Sequence, residues 1–134
     1  MNGEYKEKLP FGKGALIVTK NSYIIQFYFS GLDSRYNGTI LNIEKNEIDN
    51  YIDAYKENRE KYLKLKLMKD QLGNEFSTTG ILGMKINIGG PCEGVCIKSY
   101  HMPIKTDIEY SSLISSFQWA KQNGPKIMVL LSSI

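Results

Sequence analysis

His101 is the only histidine of this 134-residue chain. Both cysteines stand just ahead of it, in the run Gly89-Gly90-Pro91-Cys92-Glu93-Gly94-Val95-Cys96-Ile97-Lys98-Ser99-Tyr100-His101. Two kinds of chemistry call for such residues. A structural zinc centre needs four ligands in a tetrahedral shell. Cys92, Cys96 and His101 supply three, and Glu93 or Asp107 would have to supply the fourth. The expectation is therefore no metal and two reduced thiols. A cysteine–histidine nucleophilic pair needs both side chains on one side of the backbone. Residues an odd number apart in a regular strand point to opposite faces, which separates Cys96 from His101. The run also lacks the local signatures of cysteine proteases.

Other chemistry is no better supplied. Gly12-Lys13-Gly14 and Gly89-Gly90 resemble fragments of phosphate-binding loops. Neither completes a phosphate- or dinucleotide-binding motif between a strand and a helix. Glu44, Glu47, Asp49, Asp53, Glu57 and Glu60 read as the solvated face of a helix, and Asp107 and Glu109 as part of a helix cap. Asp33 and Glu93 remain, and they do not make a convincing acid–base pair of the kind a glycosidase uses. The expectation is a chain with no catalytic residues and no cofactor.

Two residues break their local pattern. Arg59 falls on the apolar stripe of the first helix. It either snorkels, covering Tyr55 or Leu63 with its stem, or holds a charge for an anionic group. Trp119 lies about 180° around the second helix from Tyr110 at 100° per residue. Its neighbours on that side are Ser112, Ser115 and Ser116. A tryptophan among small polar residues is what binding hot spots use. Tyr28 and Tyr36 extend the candidate partner-binding set. Arg59 and His101 are the candidate anchors for an anion or small ligand.

These residues need elements to place them. Residues 1–13 read as a polar lead-in. Ala15–Thr19 and Tyr23–Phe29 read as a hairpin closed by Lys20-Asn21-Ser22, with Tyr23, Ile25, Phe27 and Phe29 on one apolar face. Residues 31–38 read as a loop, and Asn42 as the cap of a helix over about Ile43–Tyr62. Ile48, Tyr51, Ile52, Tyr55, Tyr62 and Leu63 form its stripe. Leu63-Lys64-Leu65-Lys66-Leu67 alternates like a strand, yet has no breaker to stop the helix. As helix it would carry Lys66 and Lys69 onto the stripe. Residues 71–79 read as a loop. Ile81–Ile88 and Val95–Met102 read as strands, with Pro103 ending the second or placing it at an edge. Thr106 and Glu109 form a capping box. The helix it opens runs to about Gln122, with Gly124-Pro125 as its stop. Tyr110, Leu113, Ile114, Phe117 and Ala120 form its packed face, and Lys126–Leu131 a final buried strand. The order is ββα(α or β)ββαβ. The fold class is α+β, a single domain over 1–134, with one mainly antiparallel sheet of about five strands and two helices on it.

Composition narrows the function. The net charge of +3 is spread along the chain. Residues 1–42 carry five basic and three acidic side chains, 43–75 seven and eight, and 76–134 five and three. With a pI of 8.8 and no basic stripe, nucleic acid is not the expected partner. No apolar run approaches a membrane span, and the N-terminus has no secretory h-region. A cytoplasmic location follows. There Asn37-Gly38-Thr39 is a turn rather than a glycosylation site, and frequent Lys, Asn, Ile and Tyr suggest a bacterial source. A chain with this little catalytic equipment reads as a protein-binding module, specifically an inhibitor or immunity protein that neutralises a cognate toxin domain. Its positive charge directs it to a neutral or acidic target site. The alternative is a small-ligand-binding or enzymatic α+β domain with a pocket near Gly89–His101.

Overall fold

The computed structural model describes residues 3–28, 38–72, 75–98 and 100–133. Phe29, Ser30, Tyr36 and most of the expected 31–38 loop lie outside the described residues. By its contacts the chain divides into two compact units, Met1–Ile48 with Ser111–Ile134, and Asp49–Tyr110.

The first unit holds a four-stranded antiparallel meander. Its strands are β1 (Tyr5–Lys8), β2 (Gly14–Val18), β3 (Tyr23–Tyr28) and β4 (Thr39–Glu44), in that spatial order. The expected hairpin is β2–β3, with Val18 opposite Tyr23. Its turn is closed by Thr19, whose hydroxyl accepts from Ser22 N–H at 3.2 Å. Tyr23, Ile25 and Phe27 are buried on one face, as the period of two requires.

Two expectations change here. The lead-in contains an edge strand. Its Tyr-Lys-Glu-Lys sequence buries almost nothing and so carries no hydrophobic signal; charge is how exposed sheet edges resist further pairing. Asn42 lies in β4 and accepts from Gln26 Nε2 at 3.0 Å, rather than capping a helix. Glu44 N–H instead donates to Glu47 Oε1 at 3.2 Å, at the start of a 3-10 turn over Lys45–Glu47.

Helix α1 (Ile48–Leu72) follows and belongs to the second unit from Asp49 onward. Residues 63–67 are helical. Ile48, Ile52, Tyr55 and Tyr62 are buried, while Leu63 is exposed.

The second unit holds a second four-stranded antiparallel meander: β5 (Phe76–Thr79), β6 (Lys85–Ile88), β7 (Gly94–Ile97) and β8 (His101–Ile104), again in spatial order. The single five-stranded sheet is therefore replaced by two sheets of four, within the same α+β class. The expected loop 71–79 contains β5, whose Ser-Thr-Thr run is half-exposed. The expected strand 81–88 begins as a turn over Ile81–Gly83, in which Leu82 and Gly83 leave the extended region at positive φ of 57° and 69°. The Asn58 amide fixes this turn. It accepts from Ile81 N–H at 2.8 Å and donates to Ile81 O at 3.1 Å. The expected strand 95–102 is instead two strands joined by a tight turn, with Lys98 at φ 49°. Pro103 lies in β8, at the sheet edge, where a missing donor is tolerated.

Helix α2 (Asp107–Ser132) starts at the expected capping box. Glu109 N–H donates to the Thr106 hydroxyl at 3.1 Å, and Thr106 N–H to Glu109 Oε1 at 2.9 Å. Gly124-Pro125 does not stop it, and the expected strand 126–131 is its last two turns. Gly124 has a packing reason of its own. A Cβ there would lie 2.7 Å from the Tyr23 ring, so glycine lets the helix approach β3. Leu113, Phe117 and Ala120 are fully buried. The Phe117 ring meets Phe27 edge-on at 6.0 Å, and Phe27 meets Phe11 likewise at 6.0 Å, making the aromatic centre of the first unit.

Candidate functional site

The segment that concentrates the titratable chemistry, Gly89 to His101, is built around Glu93, which the sequence offered only as a possible metal ligand or unassigned loop carboxylate. Glu93 is buried. Its Oε2 accepts from the Tyr62 hydroxyl at 2.6 Å, and its Oε1 from Gly89 N–H at 2.7 Å. Lys66 Nζ lies 3.4 Å and Lys105 Nζ 3.8 Å from the same Oε2. Burial alone would raise the Glu93 pKa. The Tyr62 hydroxyl, Gly89 N–H and Lys66 outweigh it and bring the carboxyl down to about 2. Tyr62 moves the other way. Burial, then donation to the carboxylate and its charge, holds the phenol protonated. Lys66 thus sits on the α1 stripe for a reason. Its ammonium lies 5.8 Å from the Tyr62 ring centroid and reaches a buried carboxylate.

This arrangement anchors the β6–β7 turn to α1. A carboxylate this stabilised is a poor proton acceptor near neutral pH. A pH dependence follows. The folded-state pKa of about 2 lies below the ordinary value of 4.5. Its stabilising contribution is complete above the higher value and is lost as pH falls towards the lower one. Urea denaturation at stepped pH should show stability declining across that window, and Glu93→Gln should flatten this decline. An unchanged acid limb in the variant would contradict the assignment.

Arg59 is buried on the same helix. Its Nη1 donates to Lys105 O at 3.1 Å, its Nη2 pairs with Asp107, and its guanidinium stacks 4.8 Å from the Tyr110 centroid. The anion beside it is therefore a residue of this chain. The two cysteines are free. Cys96 Sγ lies 3.3 Å from Cys92 O, and burial pushes its thiol up to about 11 despite a hydrogen bond from Asn87. Cys96 and His101 lie on neighbouring strands, with His101 opposite Ile97. The same-strand parity argument therefore does not describe them. Among the described residues, no group of three or more His, Cys, Asp or Glu is placed to hold a metal ion.

A recess of about 290 Å3 does open at Gly89-Gly90. Glu75, Phe76, Asn87, Gly90, Cys92 and Tyr100 line it, while Arg59 and His101 are not among its lining residues.

The α2 candidates divide. Ser116 is buried; its hydroxyl donates to Ser112 O at 2.7 Å and accepts from Phe11 N–H at 2.8 Å, so it serves the fold of the first unit. Ser115 is exposed, and Ser112 and Trp119 are half-buried. Tyr28 is half-buried, with Lys6 Nζ 4.9 Å from its ring centroid. Its hydroxyl is buried and has no hydrogen-bond partner among the described residues. Tyr36 lies outside the described residues.

Sequence reasoning missed the far end of α2. Val129 and Leu130 are 66% and 65% exposed, beside a recess of about 630 Å3 lined by Lys20, Tyr23, Lys45, Pro125, Met128 and Val129, together with Ser132 and Ser133. Reading residues 126–131 as a buried strand hid this surface.

Among the described residues no helix is long and apolar enough to cross a membrane. The chain matches no family model, and comparison with the curated proteins and with the solved structures gives no significant match.

Proposed function

We propose that this chain is a non-catalytic protein-binding module whose contact surface is the outward side of α2 within the first unit. The observation that carries this reading is the pair of largely exposed residues Val129 and Leu130 on the helix that also bears Trp119. Leu130 follows Trp119 by eleven residues, which places the two within about 20° of each other around the helix and roughly 16 Å apart along it. Ser112, Ser115 and Lys126 fall on the same side. Apolar anchors spaced along one side of a helix and accompanied by polar residues have the form of a binding epitope rather than of a reaction centre. The specific form inferred is an inhibitor or immunity protein that covers a neutral or acidic face of a toxin domain. Such a task needs a stable scaffold and one complementary surface.

A photo-crosslinking residue at Ser115 tests this in the native host. The expected result is one discrete protein adduct, accompanied by a blue shift of the single tryptophan's emission when that protein is added to the purified chain. No adduct, together with emission that is already blue and resists acrylamide quenching in the free chain, would sink the reading.

The second reading is a ligand site in the Gly89-Gly90 recess, favoured by the cavity there. At about 290 Å3 it is at the lower end of ligand pockets. Saturable protection of Cys92 from a thiol reagent by a small ligand would support it over the first reading.

A further inference from the structure

We propose that the recess beside the last turns of α2 receives an acidic, apolar segment of the partner protein, a bulky aliphatic or aromatic side chain flanked by carboxylates. The proposal rests on the reading of the chain as a protein-binding module and names the chemistry of what that module holds.

The apolar lining of the recess is Tyr23, Pro125, Met128 and Val129. Among the described residues its only charged lining residues are Lys20 and Lys45, both exposed. Lys20 comes from the β2–β3 turn and Lys45 from the 3-10 turn after β4, so two separate segments bring positive charge to one opening. No carboxylate lines it among the described residues. Glu44 and Glu47, the acidic residues nearest Lys45 in sequence, form a reciprocal capping box with each other's backbone, and neither lines the recess. The serines add no competing charge. Ser132 Oγ lies 3.0 Å from Met128 O and 3.4 Å from Lys20 O, and Ser133 Oγ 3.0 Å from Val129 O, so both hydroxyls donate to backbone carbonyls.

Apolar lining beside two exposed lysines selects an apolar group that also carries negative charge. A free amphiphilic carboxylate has that chemistry, and so does a peptide segment. The peptide is favoured because the apolar surface does not stop at the recess. Val129 belongs both to the lining and to the exposed Val129–Leu130 patch, and a chain passing over the rim would cover both.

The test uses fluorescein-labelled, end-blocked octapeptides and fluorescence anisotropy with the full chain. One peptide is built from glutamate and leucine, one from lysine and leucine, and one from glutamate and serine. The glutamate–leucine peptide is expected to bind saturably, at least about tenfold tighter than either control, because each control lacks one of the two features. Binding should weaken about tenfold or more in the Lys20→Glu, Lys45→Glu double variant. It should also weaken as salt rises, since exposed charges are screened. Both lysines are exposed, so circular dichroism should show the variant folded. Should it not fold, Val129→Asp, at another exposed position, replaces it and is likewise expected to weaken binding about tenfold. Three results would overturn the proposal: no saturable binding of the glutamate–leucine peptide, equal binding of the lysine–leucine peptide, or unchanged affinity in the variant. Decanoate binding about tenfold tighter than any peptide would also overturn it, in favour of a small-ligand pocket. A partner that still binds the lysine variant but not Trp119→Ala would remove this recess from the interface while leaving the module reading intact.

Discussion

Gly94→Ala is expected to destabilise the chain by roughly 3 kcal/mol or more, from strained backbone and overpacking together. Gly94 opens β7 with φ at 131°, a region L side chains rarely enter. A Cβ there would lie 2.6 Å from the carbonyl oxygen of Ile104 and 2.8 Å from its carbon. That neighbour is the backbone of β8 and cannot swing aside as a side-chain tip can. The substitution must either push β8 away or rotate Gly94 out of its conformation. The latter disturbs Glu93, whose carboxylate ties the preceding turn to Tyr62. The midpoint of urea denaturation reads the effect. A loss below about 1 kcal/mol would mean that the β7–β8 approach is looser than described.

Phe117→Ala is expected to cost about 3–5 kcal/mol, the usual range for emptying an aromatic site in a core. Phe117 is fully buried and meets Phe27 edge-on at 6.0 Å. Such pairs add about 0.5–1.5 kcal/mol beyond burial. Phe27 is in turn packed on Phe11, so the loss falls at the centre of the first unit. Against a typical total stability of about 5–15 kcal/mol, either substitution removes a large share. Phe117→Leu refills most of the volume and should recover part of the loss. Equal stability of Phe117→Ala and the parent would show that α2 is not seated through this face.

The elements that were legible in the sequence are those whose burial is one-sided. Tyr23, Ile25 and Phe27 alternate because one face of β3 is core, and Leu113, Phe117 and Ala120 recur at helical spacing for the same reason. Thr106 and Glu109 announced the start of α2 because a capping box acts locally. The elements that were misread lack a one-sided pattern. β1 is an exposed, charged edge. β5 is half-exposed and rich in hydroxyls. Lys126–Leu131 exposes some apolar residues and half-buries others, so its hydrophobicity resembled a strand covered on both faces. Leu82 and Lys98 turn the chain at positive φ without being glycine, and nothing in their residue type signals it.

The site shows the same division. Arg59 and Lys66 stood out as charges on an apolar stripe, and both prove to be held by partners inside the chain. Their counter-charges, Asp107 and Glu93, are distant in sequence and were invisible as partners until the fold brought them together. Parity along one strand separated Cys96 from His101, but a turn had already made them residues of two strands. Ser116 looked like a neighbour of Trp119 on an open face, whereas its hydroxyl is committed to Phe11 N–H and Ser112 O. Side-chain bonding between distant segments has no local signature.

The central claim is that α2 presents a partner-binding surface centred on Trp119. Its most direct test is a calorimetric titration of the cross-linked partner, once purified, into the parent chain and into Trp119→Ala, each first shown to be folded. The account predicts a loss of affinity of about 30-fold or more, corresponding to the roughly 2 kcal/mol of a hot-spot residue, with little change in the stability of the free chain. Affinity within about threefold of the parent would contradict it, because the surface the partner uses would then lie elsewhere on the molecule.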